Sequence, residues 1–227
     1  MLNKKFIISP PFGNYITRDW AYSVKGSFTV AARPGLVMSA LKTFRKYPGG
    51  WINQIGLKNK GIYNIEYDNE SIYSFAPLKK EDYINFLSTP AKHVELNISC
   101  PNAKVNYIDQ RILKMMVDKF ETVIIKMPSE RRQFNNVLDA TSECGVQYYH
   151  LCNTFPTEKG GVSGSSLKNV SLRRIYQIKK LRSDIKVIGG GGIYNKQDVI
   201  DYYNAGADIF SLSTVWFTPW RIKSIIS

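Results

Sequence analysis

One thiol lies between two amide side chains in the stretch VELNISCPN, residues 94–102. Cys100 comes just after an apolar run typical of a strand, which places it on the following loop. A free thiol has a pKa of about 8.5, so it acts as a base near neutral pH when its surroundings favour the thiolate. From spacing alone, an inert cysteine is the alternative. Cys144 and Cys152 fall within a helix pattern and a strand pattern, where cysteine packs as a small apolar residue.

Lys126 ends the apolar run TVIIK, residues 122–126. An ammonium at the end of a buried strand is costly to desolvate unless it faces an anion, such as a cofactor ring, a phosphate or a carboxylate. The alternative is a lysine whose stem crosses apolar surface and whose charge reaches water. The position is therefore a candidate for binding an anion.

Four consecutive glycines at 189–192 end another apolar run and precede a helix pattern. Glycine lets the backbone approach a phosphate closely, and the N-terminus of a helix adds a partial positive charge. Barrels of alternating strands and helices often bind phosphate after strands seven and eight, where this run and the pair Ser213-Thr214 would fall. A tight turn is the alternative, and the run lacks the GxGxxG spacing of a dinucleotide-binding fold.

Four asparagines fall at the ends of apolar runs or on the loops after them: Asn53, Asn97, Asn102 and Asn153. An amide side chain donates and accepts hydrogen bonds at once, so a set of them matches a neutral heterocycle that shows both N–H and C=O edges. A ligand without those edges would leave buried amides unpaired, which costs free energy. Each asparagine alone is typical of a turn or a cap, and only their joint placement indicates a binding site.

Alternating strand and helix patterns must position these residues. Short apolar runs predict strands at 24–30, 51–53, 71–75, 93–97, 123–126, 147–152, 186–188 and 208–212. Apolar residues three and four apart predict helices at 38–47, 81–87, 108–120, 131–144, 172–181, 196–204 and 219–225. This alternation predicts parallel strands in a closed (β/α)8, or TIM, barrel, formed as a single domain by residues 1–227. In such barrels the chemistry lies at the carboxyl ends of the strands, so the candidate residues should converge on one mouth.

The composition limits the class of protein. A chain of 227 residues with 44% hydrophobic content is long enough to bury a full core. It has no apolar run of membrane-spanning length and no signal-peptide core, so we expect a cytoplasmic protein without membrane contact. Three cysteines without metal-ligand spacing support neither a disulfide framework nor a metal site. The two histidines, His93 and His150, have no acidic or serine neighbour in the sequence, so we expect structural roles for them.

The net charge of +13 would suit an anionic partner. The lysines and arginines are spread along the chain, however, which indicates a solvated surface rather than a nucleic-acid groove.

Three motifs give the chain a family resemblance: ELNISCPN at 95–102, INQIGLKNKG at 52–61, and GGVSGSSLKN with VIGGGGIYNKQDVIDYYNAGAD at 160–169 and 187–208. With them the chain resembles the dihydroorotate dehydrogenases, which are FMN-dependent TIM barrels. A cysteine in SCPN is similar to the cytosolic class. The resemblance implies a flavoprotein oxidoreductase of pyrimidine biosynthesis that oxidises (S)-dihydroorotate to orotate. Cys100 would remove the C5 proton while FMN accepts the C6 hydride.

The resemblance also implies roles for individual residues. Lys126 would be catalytic with Cys100, stabilising the reduced flavin. The substrate would be bound by Asn53, Gly56, Leu57, Asn97, Asn102, Asn153 and Thr154. The cofactor would be bound by Gly13, Ser27, Asn97, Lys126, Gly164, Gly190, Gly191, Gly192, Ser213 and Thr214.

The sequence departs from the family pattern in three places. The usual Lys-Ser pair is Gly26-Ser27 here, and Lys25, one place earlier, would by default face the other way. The usual Gly-Thr pair is Ser213-Thr214. The chain is also shorter than family members around the SCPN motif, where the lid and accessory strands normally lie. These departures keep two alternatives open: an FMN enzyme for another dihydropyrimidine, including dihydrouridine, and a degenerate, non-catalytic barrel.

The resemblance leaves the partners open. A homodimer, a separate electron-acceptor subunit, and fumarate, nicotinamide or oxygen as the oxidant are all compatible with it.

Overall fold

The computed structural model describes residues 2–98, 109–151 and 153–227. Its strands are β1 (Phe6–Ile8), β2 (Ala21–Phe28), β3 (Arg45–Tyr47), β4 (Gly50–Asn53), β5 (Ile72–Phe75), β6 (His93–Leu96), β7 (Thr122–Lys126), β8 (Tyr148–Leu151), β9 (Phe155–Thr157), β10 (Gly160–Ser163), β11 (Lys186–Gly190) and β12 (Ile209–Leu212). Its α-helices are α1 (Leu36–Thr43), α2 (Asp82–Leu87), α3 (Gln110–Lys119), α4 (Arg131–Ser142), α5 (Lys168–Leu181), α6 (Lys196–Ala205) and α7 (Ile222–Ile226). Short 3-10 helices cover Phe12–Asn14, Ile62–Asn64, Ser165–Leu167, Thr214–Phe217 and Pro219–Arg221.

Within these ranges, eight parallel strands close into a barrel in the order β1-β2-β5-β6-β7-β8-β11-β12. The barrel closes where β12 pairs with β1, with Ile7 opposite Ser211. Helices connect successive strands from β5 onward, as a parallel sheet requires. The predicted TIM barrel is confirmed.

The prediction of a barrel strand at 51–53 was wrong. These residues belong to β4, which pairs antiparallel with β3 and β10 in a separate four-stranded sheet of order β3-β4-β10-β9. Its place in the barrel is taken by β1, whose Ile7 and Ile8 are fully buried because β1 lies between β2 and β12. The predicted helix at 38–47 likewise ends at Thr43, since residues 45–47 form β3.

The inner face of the barrel has an apolar layer and, above it, a polar layer. The apolar layer consists of Ile7, Val24, Ile72, Ile124, Tyr148, Ile188 and Ile209. Side chains along a strand alternate between its faces, so the residue two positions later points inward again, nearer the carboxyl end. Those positions hold Ser9, Gly26, Ser74, Lys126, His150, Gly190 and Ser211, and β6 contributes Glu95. The polar layer therefore forms the floor of the carboxyl mouth.

The larger apolar core lies between the barrel and its helices. It includes Phe75 and Phe86, whose rings stack with centroids 4.8 Å apart, and the fully buried Phe134 of α4. This packing fixes the helices against the strands and leaves the loops at the carboxyl ends to build a site.

Candidate functional site

A cavity of about 680 Å³ opens at the carboxyl mouth of the barrel. Small-molecule sites typically measure about 300–1,000 Å³. The cavity is lined by many of the residues singled out in the sequence: Ser27, Asn53, Gly56, Leu57, Asn97, Lys126, Asn153, Thr154, Ser213 and Thr214. Asn53 reaches it from β4 of the accessory sheet, whereas Lys126 reaches it from barrel strand β7 and Asn97 from the position directly after barrel strand β6. The fold thus gathers residues from both sheets around one space.

Aromatic rings form one wall of this cavity. Phe44 stacks on Trp51 with centroids 4.9 Å apart, and Phe217 packs against Trp51 at 4.7 Å. Phe12 meets Phe217 edge-on at 5.0 Å. Phe12, Phe44 and Phe217 line the cavity. Such a wall offers flat apolar surface to a planar ring system.

A smaller cavity of about 90 Å³ adjoins the large one. The predicted phosphate-binding residues line it together: Gly164, Gly190, Gly191, Gly192, Ser213 and Thr214. Lys126 and Asn153 line both cavities and therefore lie at their junction.

Close packing explains the glycines of the smaller cavity. Gly192 has a φ of +78°, and a Cβ there would lie 2.4 Å from the Cα of Ser165. Gly191 has a φ of +104°, and a Cβ there would lie 2.9 Å from the Cβ of Leu167. Only residues without a side chain let this loop close over the 3-10 helix Ser165–Leu167 without strain.

The expected contribution of a helix N-terminus to phosphate binding stays a prediction. Helix α6 begins at Lys196, beyond Gly192, with a capping box between Asn195 and Asp198. The Asp198 carboxylate accepts hydrogen bonds from the N–H groups of Tyr194 and Asn195 and pairs with Lys168. The N–H groups of Tyr194 and Asn195 therefore already have partners, and the glycine loop with the hydroxyls of Ser213 and Thr214 lines the candidate phosphate site.

A chain of hydrogen bonds runs from the mouth into the barrel. Asn153 Nδ2 donates to Asn97 Oδ1 at 2.8 Å, and Asn97 Nδ2 donates to Ser27 Oγ at 2.8 Å. Ser27 Oγ is 2.9 Å from Ser74 Oγ, which donates to Glu95 Oε1 at 2.9 Å. These bonds fix the orientation of the Asn97 amide and still leave it one N–H and one lone pair for a ligand.

The chain ends at a buried cluster of titratable groups. Glu95, which is 0% exposed, places Oε1 3.4 Å from Lys126 Nζ and Oε2 2.6 Å from His150 Nδ1. Burial alone would raise the pKa of Glu95, but Lys126, His150 and the hydrogen bond from Ser74 lower it to about 2. Burial lowers the pKa of His150 and outweighs the attraction of Glu95. At neutral pH the cluster therefore contains a carboxylate, an ammonium and a neutral imidazole.

Neither Glu95 nor His150 was identified as a functional candidate from the sequence. His150 has no acidic neighbour in the sequence, but it gains an acidic partner in the fold, because β7 pairs with both β6 and β8 and so brings His150 to Glu95. A signal for Glu95 was present, since a carboxylate inside an apolar strand, two residues before Asn97, must point to the same face as that amide. His93 bonds Thr122 Oγ1 at 3.1 Å at the amino end of the barrel, away from the site.

Lys25 does not fill the position of the lysine missing at Gly26. Its ammonium pairs with Asp68 at 2.6 Å and lies over the ring of Tyr73, which belongs to the outer core. Lys25 and Tyr73 nevertheless line the large cavity, so the expectation that Lys25 faces away from the mouth holds only for its pairing with Asp68. Gly26 itself lines the cavity, and a Cβ there would lie 2.5 Å from Ser74 O.

Two kinds of candidate remain away from this geometry. Gly13 packs against the barrel backbone, where a Cβ would lie 2.2 Å from Val24 O, so it supports the wall formed by its neighbours. Cys100, Asn102 and Cys152 lie outside the described residues.

The described residues fit FMN. A flavin mononucleotide joins a planar ring to a phosphate through a flexible polyol. The large cavity offers the aromatic wall, the smaller one offers glycines and hydroxyls, and Lys126 lies at their junction. A planar electron acceptor and its phosphate tail would each find the matching chemistry.

The fold and the site thus define a TIM barrel with a mouth suited to a flavin nucleotide. A family model described as dihydroorotate dehydrogenase matches residues 13–227. Similar chains include the catalytic subunits of NAD(+) dihydroorotate dehydrogenase B from Oceanobacillus iheyensis, 31% identical over 78% of this chain and 71% of that protein, and from Staphylococcus carnosus, 30% identical over 78% and 70%. The corresponding subunit from a Geobacillus strain is 28% identical over 79% and 69%.

The chain belongs to the dihydroorotate dehydrogenase family. In the part of the chain that the structure describes, no helix combines the length and the apolar character needed to cross a membrane.

Proposed function

We propose that this protein oxidises (S)-dihydroorotate to orotate with bound FMN. The observation that carries the proposal is the linked pair Asn97 and Asn153, 2.8 Å apart between Oδ1 and Nδ2, beside Lys126 in the mouth of a barrel of this family. Dihydroorotate offers ring N–H and C=O groups and a carboxylate, which amides and an ammonium recognise. Asn53, Gly56, Leu57 and Thr154 complete the substrate pocket, and we assign Asn102 to it from the sequence.

FMN, when bound, supplies the acceptor for the hydride that leaves C6 of the substrate. Cys100 removes the proton from C5 as the general base, since in the motif ELNISCPN this thiol follows Asn97 by three residues. Asn97 and Asn153 orient the ring, and their fixed amides remove the need to reorganise during the reaction. Lys126 stabilises negative charge at the junction of the two cavities.

We also propose that the protein works with a separate subunit that passes electrons onward. The similar bacterial proteins are named catalytic subunits of dihydroorotate dehydrogenase B (NAD(+)), and a catalytic subunit implies a further subunit. A surface with a net charge of +13 favours an acidic partner. A homodimer and a cytoplasmic location stay predictions.

The first test is anaerobic addition of dihydroorotate to the purified protein. We expect a yellow protein whose flavin absorbance bleaches on addition. A protein that is colourless and takes up no FMN would support the degenerate barrel instead. Bleaching by another dihydropyrimidine, but not by dihydroorotate, would assign the alternative substrate.

The second test concerns the base. Cys100→Ala should keep flavin and orotate binding and slow the bleaching by about 10²-fold or more near neutral pH, since a positioned base contributes about 10²–10⁴-fold. Cys144→Ala is the matched control, because Cys144 is buried in the outer core away from the mouth. Equal rates in the two variants would refute the assignment of Cys100.

The third test concerns the cation. Lys126→Ala should weaken FMN binding or slow its reduction, because the variant loses the positive charge at the junction of the cavities. Lys92→Ala is the control, since Lys92 is an exposed residue paired with Glu121 at 3.5 Å. Unchanged binding and reduction in Lys126→Ala would return Lys126 to a structural role.

A further inference from the structure

The buried cluster below the mouth connects Lys126 to a second group that can carry positive charge. Glu95 uses one carboxylate oxygen for Lys126, at 3.4 Å, and the other for His150, at 2.6 Å. The ionised carboxylate only accepts hydrogen bonds, so His150 carries its proton on Nδ1 and leaves Nε2 as the basic nitrogen. His150 also lines the smaller cavity beside Lys126, which gives the imidazole a route to solvent and to the ligand.

The charge of this cluster depends on His150 alone near neutral pH. With neutral imidazole, Glu95 and Lys126 cancel, and the floor of the mouth has no net charge. With imidazolium, the floor carries one positive charge. Among the described residues, the titratable groups that face His150 are Glu95 on β6 and Lys126 on β7, while the other neighbouring strand, β11, presents Ile188 and Gly190.

Negative charge placed against Lys126 must therefore favour protonation of His150. The cluster lies in a buried environment, where charges act on each other more strongly than in water. Linkage between two binding events is reciprocal. If the charge of a ligand raises the proton affinity of His150, protonation of His150 raises the affinity of the protein for that ligand by the same factor.

We propose that His150 is a positioning residue that takes up a proton when the flavin is reduced and so compensates, through Glu95 and Lys126, the negative charge left on the ring. The inference rests on the proposed function, because it requires FMN in the mouth. A bound flavin would take two electrons and one proton from its reductant and solvent to reach the monoanion. One further proton from solvent binds His150 Nε2, and the electrons and both protons leave again when the flavin is reoxidised.

The test is nuclear magnetic resonance of the wild-type protein with ¹⁵N-labelled histidine rings, titrated with pH in three states: without FMN, with oxidised FMN, and with FMN reduced by dithionite. The chain contains two histidines, so His93, 3.1 Å from Thr122 at the other end of the barrel, is an internal control. Reduction should raise the proton affinity of His150 by about tenfold or more and leave His93 unchanged. An unchanged His150 would overturn the inference.

A second measurement uses the midpoint potential of bound FMN as a function of pH. One extra proton per two electrons changes the equilibrium tenfold per pH unit, about 30 mV. We expect the wild type to show a slope steeper by this amount than His150→Gln over the range in which His150 titrates. Equal slopes would overturn the inference. FMN binding with an unresponsive His150 refutes this proposal alone, whereas failure to bind FMN refutes the proposed function with it.

Discussion

Replacing Glu95 with glutamine removes the negative charge that Lys126 and His150 share. The change keeps the shape of the side chain and an oxygen that still accepts hydrogen bonds. It leaves the Lys126 ammonium, whose side chain is 12% exposed, without its counter-charge 3.4 Å away. The expected result is a marked loss of stability from a substitution that removes no volume.

Two independent routes give the size of this loss. The pKa of Glu95 falls from 4.5 to about 2 in the folded protein, and at about 1.36 kcal/mol per pKa unit this corresponds to about 3 kcal/mol of stability carried by the ionised form. Removing one partner of a buried ion pair typically costs about 3–5 kcal/mol. We therefore expect Glu95→Gln to lower the free energy of unfolding by about 3 kcal/mol at pH 7.

The assay is urea unfolding, followed by far-ultraviolet circular dichroism, on matched variants. Glu121→Gln is the control, because Glu121 is 55% exposed and also contacts a lysine and a histidine, Lys92 at 3.5 Å and His93 at 4.0 Å. Exposed pairs contribute about 0–1 kcal/mol, so its midpoint should barely move. If the two substitutions lower the free energy of unfolding equally, at an unchanged denaturant slope, the buried Glu95 cluster contributes no more to stability than the exposed Glu121 pair, and the calculation is refuted.

Two further predictions concern the glycine loop and acid stability. Gly192→Ala should abolish FMN binding and destabilise the fold, since its Cβ would lie 2.4 Å from Ser165 Cα; Gly145→Ala, also at positive φ but 3.5 Å from its nearest neighbour, should cost only about 1–2 kcal/mol of backbone strain and keep FMN binding. Isothermal titration calorimetry with FMN distinguishes the two variants, and normal FMN binding by Gly192→Ala would refute the close-packing argument. Thermal stability should be constant above pH 6.5 and fall below it, because burial lowers the pKa of both His150 and His93 from 6.5 so that only the unfolded chain takes up those protons. A second loss should follow below pH 4.5 as the pH approaches the lowered Glu95 pKa of about 2. Scanning calorimetry from pH 8 to 3 measures both, and stability that rises between pH 7 and 5 would contradict the His150 assignment.

Much of the site was predictable because barrel geometry turns sequence order into position. A residue at the carboxyl end of any barrel strand must reach the same mouth, so Asn97, Lys126 and Asn153 could be grouped without knowing their distances. Asn53 was grouped with them for the wrong reason, since it belongs to the accessory sheet, yet it still lines the cavity. The strand Phe6–Ile8 was missed because three residues are too few for alternation to show.

The sequence by itself determined that amides, Lys126 and a glycine loop lie at the mouth of the barrel, and it predicts a thiol there, Cys100, which lies outside the described residues. Only the tertiary structure decided which titratable groups meet beneath that mouth. Glu95 and His150 are 55 positions apart and each looks like an isolated polar residue in an apolar strand. They meet because β7 pairs with both β6 and β8, which turns their inward faces toward one another across Lys126. A local pattern specifies the face on which a side chain lies, but the charge it meets there depends on the closure of the sheet.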